Sequence, residues 1–153
     1  ATGFKPYSIK INGVDYTISY EPTESTTPLF GGNSNWRGPV WMPINYLFIQ
    51  SLRQFYTHYG DSIAFEYPTG SKKKLNLKEI SDELSKRLIA IFTPNEHGDR
   101  PVNKLHEEVY KNDYFKDLIL FYEYFSGDDG RGVGASHQTG WTALVANLIA
   151  ETD

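Results

Sequence analysis

The first clear pattern along the chain is a run of β-branched and aromatic residues that alternates with polar ones. Asn12-Gly13 lies in the middle of this run, and that dipeptide favours the tight turn of a two-residue hairpin loop. The pattern therefore predicts a small β-hairpin at about 7–20. Its apolar positions are Ile9, Ile11, Val14, Tyr16 and Ile18.

Helical spacing of apolar residues dominates the rest of the chain. It predicts three helices of several turns each, and Gly60 suits the end of the first. A shorter helix is expected between the second and the third. The four predicted helices lie at 43–59, 77–92, 104–111 and 137–150.

Each of the longer helices carries an apolar stripe. The second also begins with a capping-box pattern formed by Asn76 and Glu79. These features predict a mainly all-α fold over 1–153, helical from about 36 to 150, with one small hairpin. The stripes comprise Ile44, Leu47, Phe48, Leu52, Phe55 and Tyr59 in the first helix, Ile80, Leu84, Leu88 and Ile91 in the second, and Trp141, Leu144, Val145 and Leu148 in the last.

Composition narrows the possible partners. The net charge of −4 and the pI near 5.6 give no field that attracts nucleic acid or anionic lipid, so neither partner is expected. The chain has no cysteine, which excludes disulfides, a thiol nucleophile and cysteine-type zinc sites. It has neither a signal-peptide core nor a long apolar span, so a cytoplasmic location is favoured.

The stretch from Asn33 to Tyr46 crowds aromatic, basic and amide side chains around a turn. An aromatic ring can stack on the apolar face of a pyranose, while Arg and Asn bond its hydroxyls. This stretch is therefore a candidate sugar subsite, although a packed loop that enters a helix would have the same residues. The candidate sugar contacts are Trp36, Arg37, Gly38, Trp41 and Asn45.

Glu123 is the one acid within the apolar and aromatic run Leu118–Phe125, where it follows Tyr122. An acid in such a run is either paired, protonated or functional, and its surroundings can fit it for proton transfer. The alternative is a glutamate on the solvent side of a strand. The residues alone leave both interpretations open.

A glycine-rich segment follows, and Gly130–Ala135 fits one form of the dinucleotide fingerprint. A nucleotide site is disfavoured because no second strand follows the helix and two acids precede the segment. The histidines lack metal-ligand spacing. The sequence thus predicts no cofactor and no metal. His137, Gln138 and Trp141 surround the next helix start and are further candidate sugar contacts.

Two segments together resemble glycoside hydrolase family 63. The first is Asn35–Trp41 with Asn45-Tyr46-Leu47 after it. The second is Tyr122-Glu123-Tyr124 followed by Asp129-Gly130-Arg131-Gly132, with Glu123 six residues before Asp129 as in that family. The resemblance extends from about Gly31 to Ile149.

This resemblance implies an (α/α)6 toroid, the six-hairpin glycosidase fold, of which the chain would form the C-terminal part. It implies an inverting α-glycosidase, either an α-glucosidase or a mannosylglycerate hydrolase-like enzyme, with Glu123 as general base. Tyr122 and the candidate contacts named above would line the sugar cleft. The family's general acid has no counterpart in 1–30, so we expect the isolated chain to be inactive.

The expected partners are a carbohydrate and either the remaining part of the toroid or a second copy of the chain. Without such a partner, helix faces are expected to stay uncovered. Two other functions stay open: a sugar-binding module without catalysis, and an interaction domain whose aromatic rings only fill a core.

Overall fold

The computed structural model describes residues 5–19, 40–137 and 139–152. Trp36, Arg37, Gly38 and Gln138 therefore lie outside the described residues. The helices are α1 Met42–Tyr59, α2 Leu77–Ala90, α3 Glu107–Tyr110, α4 Thr139–Thr142 and α5 Leu144–Thr152, with 3-10 turns at Gly60–Ser62 and Pro101–His106. The strands are β1 Tyr7–Ile11, β2 Val14–Ile18, β3 Ala64–Glu66, β4 Lys74–Asn76, β5 Tyr124–Phe125 and β6 Gly132–Val133.

Helices carry most of the regular structure, as the sequence predicts. The helices expected at 43–59 and 77–92 are confirmed, and Asn76 and Glu79 form the reciprocal capping box. The helix expected at 137–150 is divided into α4 and α5. The one expected at 104–111 is a 3-10 turn that runs into α3.

The prediction of a single hairpin is wrong in number. The described residues contain three two-stranded antiparallel sheets. The predicted one, β1–β2, turns at Asn12-Gly13 with positive φ at both residues. Its register places all the apolar side chains of the hairpin on one face, because cross-strand partners share a face. The pairs are Tyr7 with Ile18, Ile9 with Tyr16, and Ile11 with Val14.

The core lies where α1, α2 and α5 pack together and where β5 meets the start of α1. The predicted inward faces of α2 and of the last helix are confirmed, with Leu88 and Leu148 buried. The largest fully buried side chain is Phe125, and its ring packs edge-on against Phe92. Other buried members of the core are Met42, Ile49, Ile91, Val102, Tyr122 and Val145.

Helix α1 is buried on a different side from its predicted apolar stripe. Met42 and Ile49 face the core, whereas most of the stripe is exposed, with Leu47 at 60%. The helix is apolar on more than one side, so periodicity alone does not determine which side meets α2 and α5. We call the exposed residues Ile44, Leu47, Phe48, Phe55 and Tyr59 the outer face of α1.

An ionic cluster joins the three packed helices. The Arg53 guanidinium of α1 pairs with the Glu151 carboxylate of α5 and approaches Asp82 of α2, with 3.8 Å between Nη2 and Oδ1. Tyr46 and Gln50 also donate hydrogen bonds to Glu151. The cluster therefore fixes how α5 lies across α1 and α2.

Among the helices described, none is long and apolar enough to cross a bilayer.

Candidate functional site

Glu123 immediately precedes β5 and is held at both its backbone and its side chain. Its amide donates to the Ala135 carbonyl at 2.9 Å. Its carboxylate oxygen Oε2 accepts a hydrogen bond from the Ala135 amide at 3.1 Å. The side chain is half-buried, so one part of it is fixed by the backbone and another part remains accessible.

Helix α4 holds the backbone of the two residues that precede β5. The Trp141 indole N–H donates to the Glu123 carbonyl at 3.0 Å. The Thr142 hydroxyl donates to the Tyr122 carbonyl at 2.5 Å, and both of these residues are buried. Two consecutive residues of one short helix therefore bond two consecutive carbonyls, which fixes the position of Glu123 relative to that helix.

The Trp41 ring packs against the Trp141 ring. Their ring centroids are 5.7 Å apart with an interplanar angle of 82°, an edge-to-face arrangement. Val40, directly before Trp41, exchanges two backbone hydrogen bonds with Phe125. The structure thus places Trp141 in contact with both Trp41 and Glu123. That the two tryptophans contact a sugar stays a prediction.

Asn45 and His137 are at the edge of this cluster. The Asn45 side-chain amide donates to the Trp41 carbonyl at 2.8 Å, so it stabilises the first turn of α1. His137 is exposed, and its Nδ1 accepts a hydrogen bond from the Phe121 amide at 3.4 Å. Both residues lie near the tryptophans or Glu123 in the chain, and their contact with a sugar stays a prediction.

The Tyr122 ring lies in the hydrophobic core and not in a cleft. It is 3% exposed and packs on Gly132, where an added Cβ would lie 2.2 Å from its Cγ. Burial, with a smaller contribution from Tyr110, raises the pKa of the Tyr122 phenol to about 12. Tyr122 therefore reaches the site through its carbonyl, while its ring belongs to the core.

Asp129, the acid of the Asp-Gly-Arg-Gly motif, is engaged in ionic contacts. Its Oδ2 lies 3.3 Å from Lys104 Nζ and 3.6 Å from Arg131 Nη1. Burial alone would raise the pKa of Asp129, but hydrogen bonds from the Arg131 amide, Lys104 and Ser126 hold it below its usual value. The carboxylate therefore serves as an anchor of the glycine loop.

A cavity of about 450 Å³ opens beside the loop. It lies between the start of α1, the end of α2 and the glycine segment, and its walls are mainly apolar. Among its lining residues are Asn45, Leu88, Ile91, Ser126, Asp128 and Gly130. Within the described ranges, the acids and histidines form no cluster that could hold a metal ion.

Two contributions to this site were not foreseen from the sequence. Lys104 comes from a turn 25 residues before its partner Asp129, and no local pattern links the two. Gly134 lies against the Glu123 carboxylate. Its place in a glycine-rich run was a signal that the backbone approaches something closely there.

Comparison with known proteins places these motifs in one family. The profile of the "Glycosyl hydrolase family 63 C-terminal domain" matches residues 24–151. The chain is 48% identical over 148 residues to the uncharacterized protein YMR196W of Saccharomyces cerevisiae, covering 95% of this chain and 14% of that protein. It is 34% identical over 121 residues to the mannosyl-oligosaccharide glucosidase of the same yeast, covering 78% of this chain and 11% of that protein.

A plant relative extends the comparison. Alpha-glucosidase 2 of Arabidopsis thaliana is 28% identical over 116 residues, which cover 76% of this chain and 11% of that protein. The chain thus spans between 11% and 14% of the length of these relatives. No solved structure matches it significantly.

Proposed function

Because this chain belongs to glycosyl hydrolase family 63, we propose that it carries the general base and one wall of the sugar cleft of an inverting α-glycosidase. Substrates of this enzyme are α-linked glucosides or related small glycosides. Two of the relatives are named glucosidases, which supports glucose as the glycone. The observation that carries the proposal is the contact of Glu123 with Trp141, whose ring packs against that of Trp41.

The proposed role of Glu123 is to take a proton from water. The water oxygen then attacks the anomeric carbon as the glycosidic C–O bond breaks, and an acid elsewhere protonates the leaving oxygen. Such a pair of carboxyl groups lies roughly 6.5–9.5 Å apart in inverting enzymes, which leaves room for the water. We propose that this acid lies outside the chain.

Trp41 and Trp141 are proposed to shape the sugar subsite. Their perpendicular rings offer one flat face and one edge, and a pyranose ring can stack on the face. Trp36, Arg37, Gly38 and Gln138 would complete this wall, with Arg37 bonding sugar hydroxyls. These four assignments rest on the family motifs.

The remaining part of the protein is proposed to cover the outer face of α1. In an (α/α)6 toroid, each helix packs against neighbours on more than one side, and α1 is apolar on more than one side. The relatives are long enough to supply further helices, since this chain matches 14% or less of each. A second copy of the chain is the other partner that would bury this face.

The test is Glu123→Gln in the full-length protein that contains this chain. The amide keeps the shape of the side chain but cannot accept a proton, so turnover on an α-glucoside should fall by about 100- to 10,000-fold, the usual value of general-base assistance. Binding of the substrate should persist. Glu108→Gln is the matched control, because that side chain is 90% exposed and lies outside the site.

The stereochemistry of the product is a second measurement. Proton nuclear magnetic resonance during the first turnovers of the wild type should show β-glucose before mutarotation, because inversion of an α-glycoside gives the β-anomer. A Glu123→Gln variant with wild-type turnover would overturn the assignment and make Asp128 or Asp129 the next candidate. Retained sugar binding with no hydrolysis in the wild type would instead indicate a binding module.

A further inference from the structure

The pairing between β5 and β6 shifts by one residue beside Glu123. Within the sheet, Tyr124 faces Val133 and Phe125 faces Gly132. The same register would place Glu123 opposite Gly134. The Glu123 amide instead bonds the carbonyl of Ala135, one residue further along.

Gly134 is therefore the extra residue of a β-bulge. Its φ of +75° lies in the left-handed region, as in the bulge type that begins with glycine. The shift turns the Ala135 amide towards Glu123, where it donates to Oε2. Without the extra residue, neither of the two Glu123–Ala135 hydrogen bonds would form in this register.

Gly134 is also restricted by space. A Cβ at this position would lie 2.7 Å from Glu123 Oε2 and 2.8 Å from Tyr124 Cε1, closer than real Cβ atoms approach. The Tyr124 side chain is buried and has little freedom to move. The half-buried Glu123 carboxylate is the group that would be displaced.

We propose that Gly134 is a positioning residue for catalysis, because its bulge and its missing side chain together fix the Glu123 carboxylate. This inference rests on the proposed role of Glu123 as general base. The Ala135 amide holds Oε2, and among the described residues no donor bonds Oε1. That geometry directs Oε1 to the water that loses its proton.

Gly134→Ala in the full-length protein tests this proposal. The added methyl displaces the carboxylate, and a misplacement of about 1 Å can cost about 100-fold in rate. We therefore expect a fall in kcat of roughly 10- to 100-fold with little change in KM, since only the reacting geometry is altered. The control is Gly98→Ala, which has a similar φ of +85° but no atom within 4 Å of the added Cβ.

The control separates backbone strain from displacement of the carboxylate. Both variants place alanine in the left-handed region, so both should lose thermal stability through backbone strain. Only Gly134→Ala should lose turnover. Equal turnover in the two variants would overturn the proposal.

A double-mutant cycle then tests whether Gly134 acts through Glu123. In the Glu123→Gln background there is no base left to misplace, so Gly134→Ala should lower kcat no further. Independent, multiplicative losses would overturn the positioning role while leaving Glu123 as the base. An unchanged rate for Glu123→Gln alone would refute the proposed function itself.

A second substitution covers the case in which Gly134→Ala does not fold. Asparagine adopts positive φ more readily than alanine but brings the same Cβ. Gly134→Asn should therefore show the same loss of kcat with less loss of stability. A folded Gly134→Asn variant with wild-type kcat would equally overturn the proposal.

Discussion

The Tyr122 carbonyl accepts a hydrogen bond from one buried hydroxyl, and removing that hydroxyl should destabilise the segment that carries Glu123. Thr142→Val replaces the hydroxyl by a methyl group of nearly the same size, so no cavity forms. The Tyr122 carbonyl, which accepts the Thr142 hydroxyl at 2.5 Å, loses this donor. Thr142 is fully buried, so water has no ready access to the carbonyl.

The expected cost follows from that burial. A buried polar group without its hydrogen bond costs about 1–3 kcal/mol. For a domain of this size, each kcal/mol lowers Tm by about 2–4 °C, so Thr142→Val should melt roughly 2–12 °C lower. Loosening of Tyr122 and Glu123 should also reduce turnover in the full-length protein.

Urea unfolding and thermal melting measure the effect, and Thr152→Val is the matched control. The Thr152 hydroxyl donates to the Leu148 carbonyl of its own helix at 2.5 Å, but Thr152 is only partly buried. Water can replace that bond, so the control should change stability by less than about 0.5 kcal/mol. If Thr142→Val unfolds at the same urea concentration as the control, the reasoning about the buried carbonyl is wrong.

Three further perturbations test other parts of the structure. Tyr122→Phe should remove an alkaline loss of stability, which urea unfolding at stepped pH measures. Because the pKa of the Tyr122 phenol is raised to about 12, its contribution to the free energy of unfolding is complete below pH 10 and is lost as the pH rises towards 12. Phe125→Ala should cost about 3–5 kcal/mol of unfolding free energy, whereas the exposed Phe115→Ala should cost less than about 0.5 kcal/mol. Leu47→Lys, on the outer face of α1, should leave the melting temperature of the 153-residue chain nearly unchanged and reduce its self-association in light scattering, because it interrupts an exposed apolar patch.

The elements that the sequence predicts correctly depend on residues that are close together in the chain. Asn12-Gly13 requires a turn with positive φ, and Asn76 with Glu79 satisfies the first amides of α2, so neither depends on distant residues. The β3–β4 pair was missed because each of its strands has only three residues, which is too short to show an alternation. The run of lysines that leads into β4, Lys72, Lys73 and Lys74, also resembles a solvated loop.

Contacts between distant residues determined what the sequence did not predict. Apolar residues recur at helical spacing on the outer face of α1 as they do on its buried side. Only the positions of α2 and α5 decide which of the two sides is buried. In the site, the motifs indicated Glu123, Trp41 and Trp141, but not the hydrogen bond that joins the indole of Trp141 to Glu123. The burial of the Tyr122 ring likewise depends on Gly132, ten residues away.

The ionic cluster around Arg53 has a consequence for the order of events during synthesis. Arg53 and Glu151 are 98 residues apart in sequence, so α1 leaves the ribosome long before its partner on α5 exists. At about 5–20 residues per second, that delay amounts to roughly 5–20 seconds. During this interval α2 can already pack against α1, but the Arg53 guanidinium lacks the Glu151 carboxylate and the outer face of α1 stays exposed.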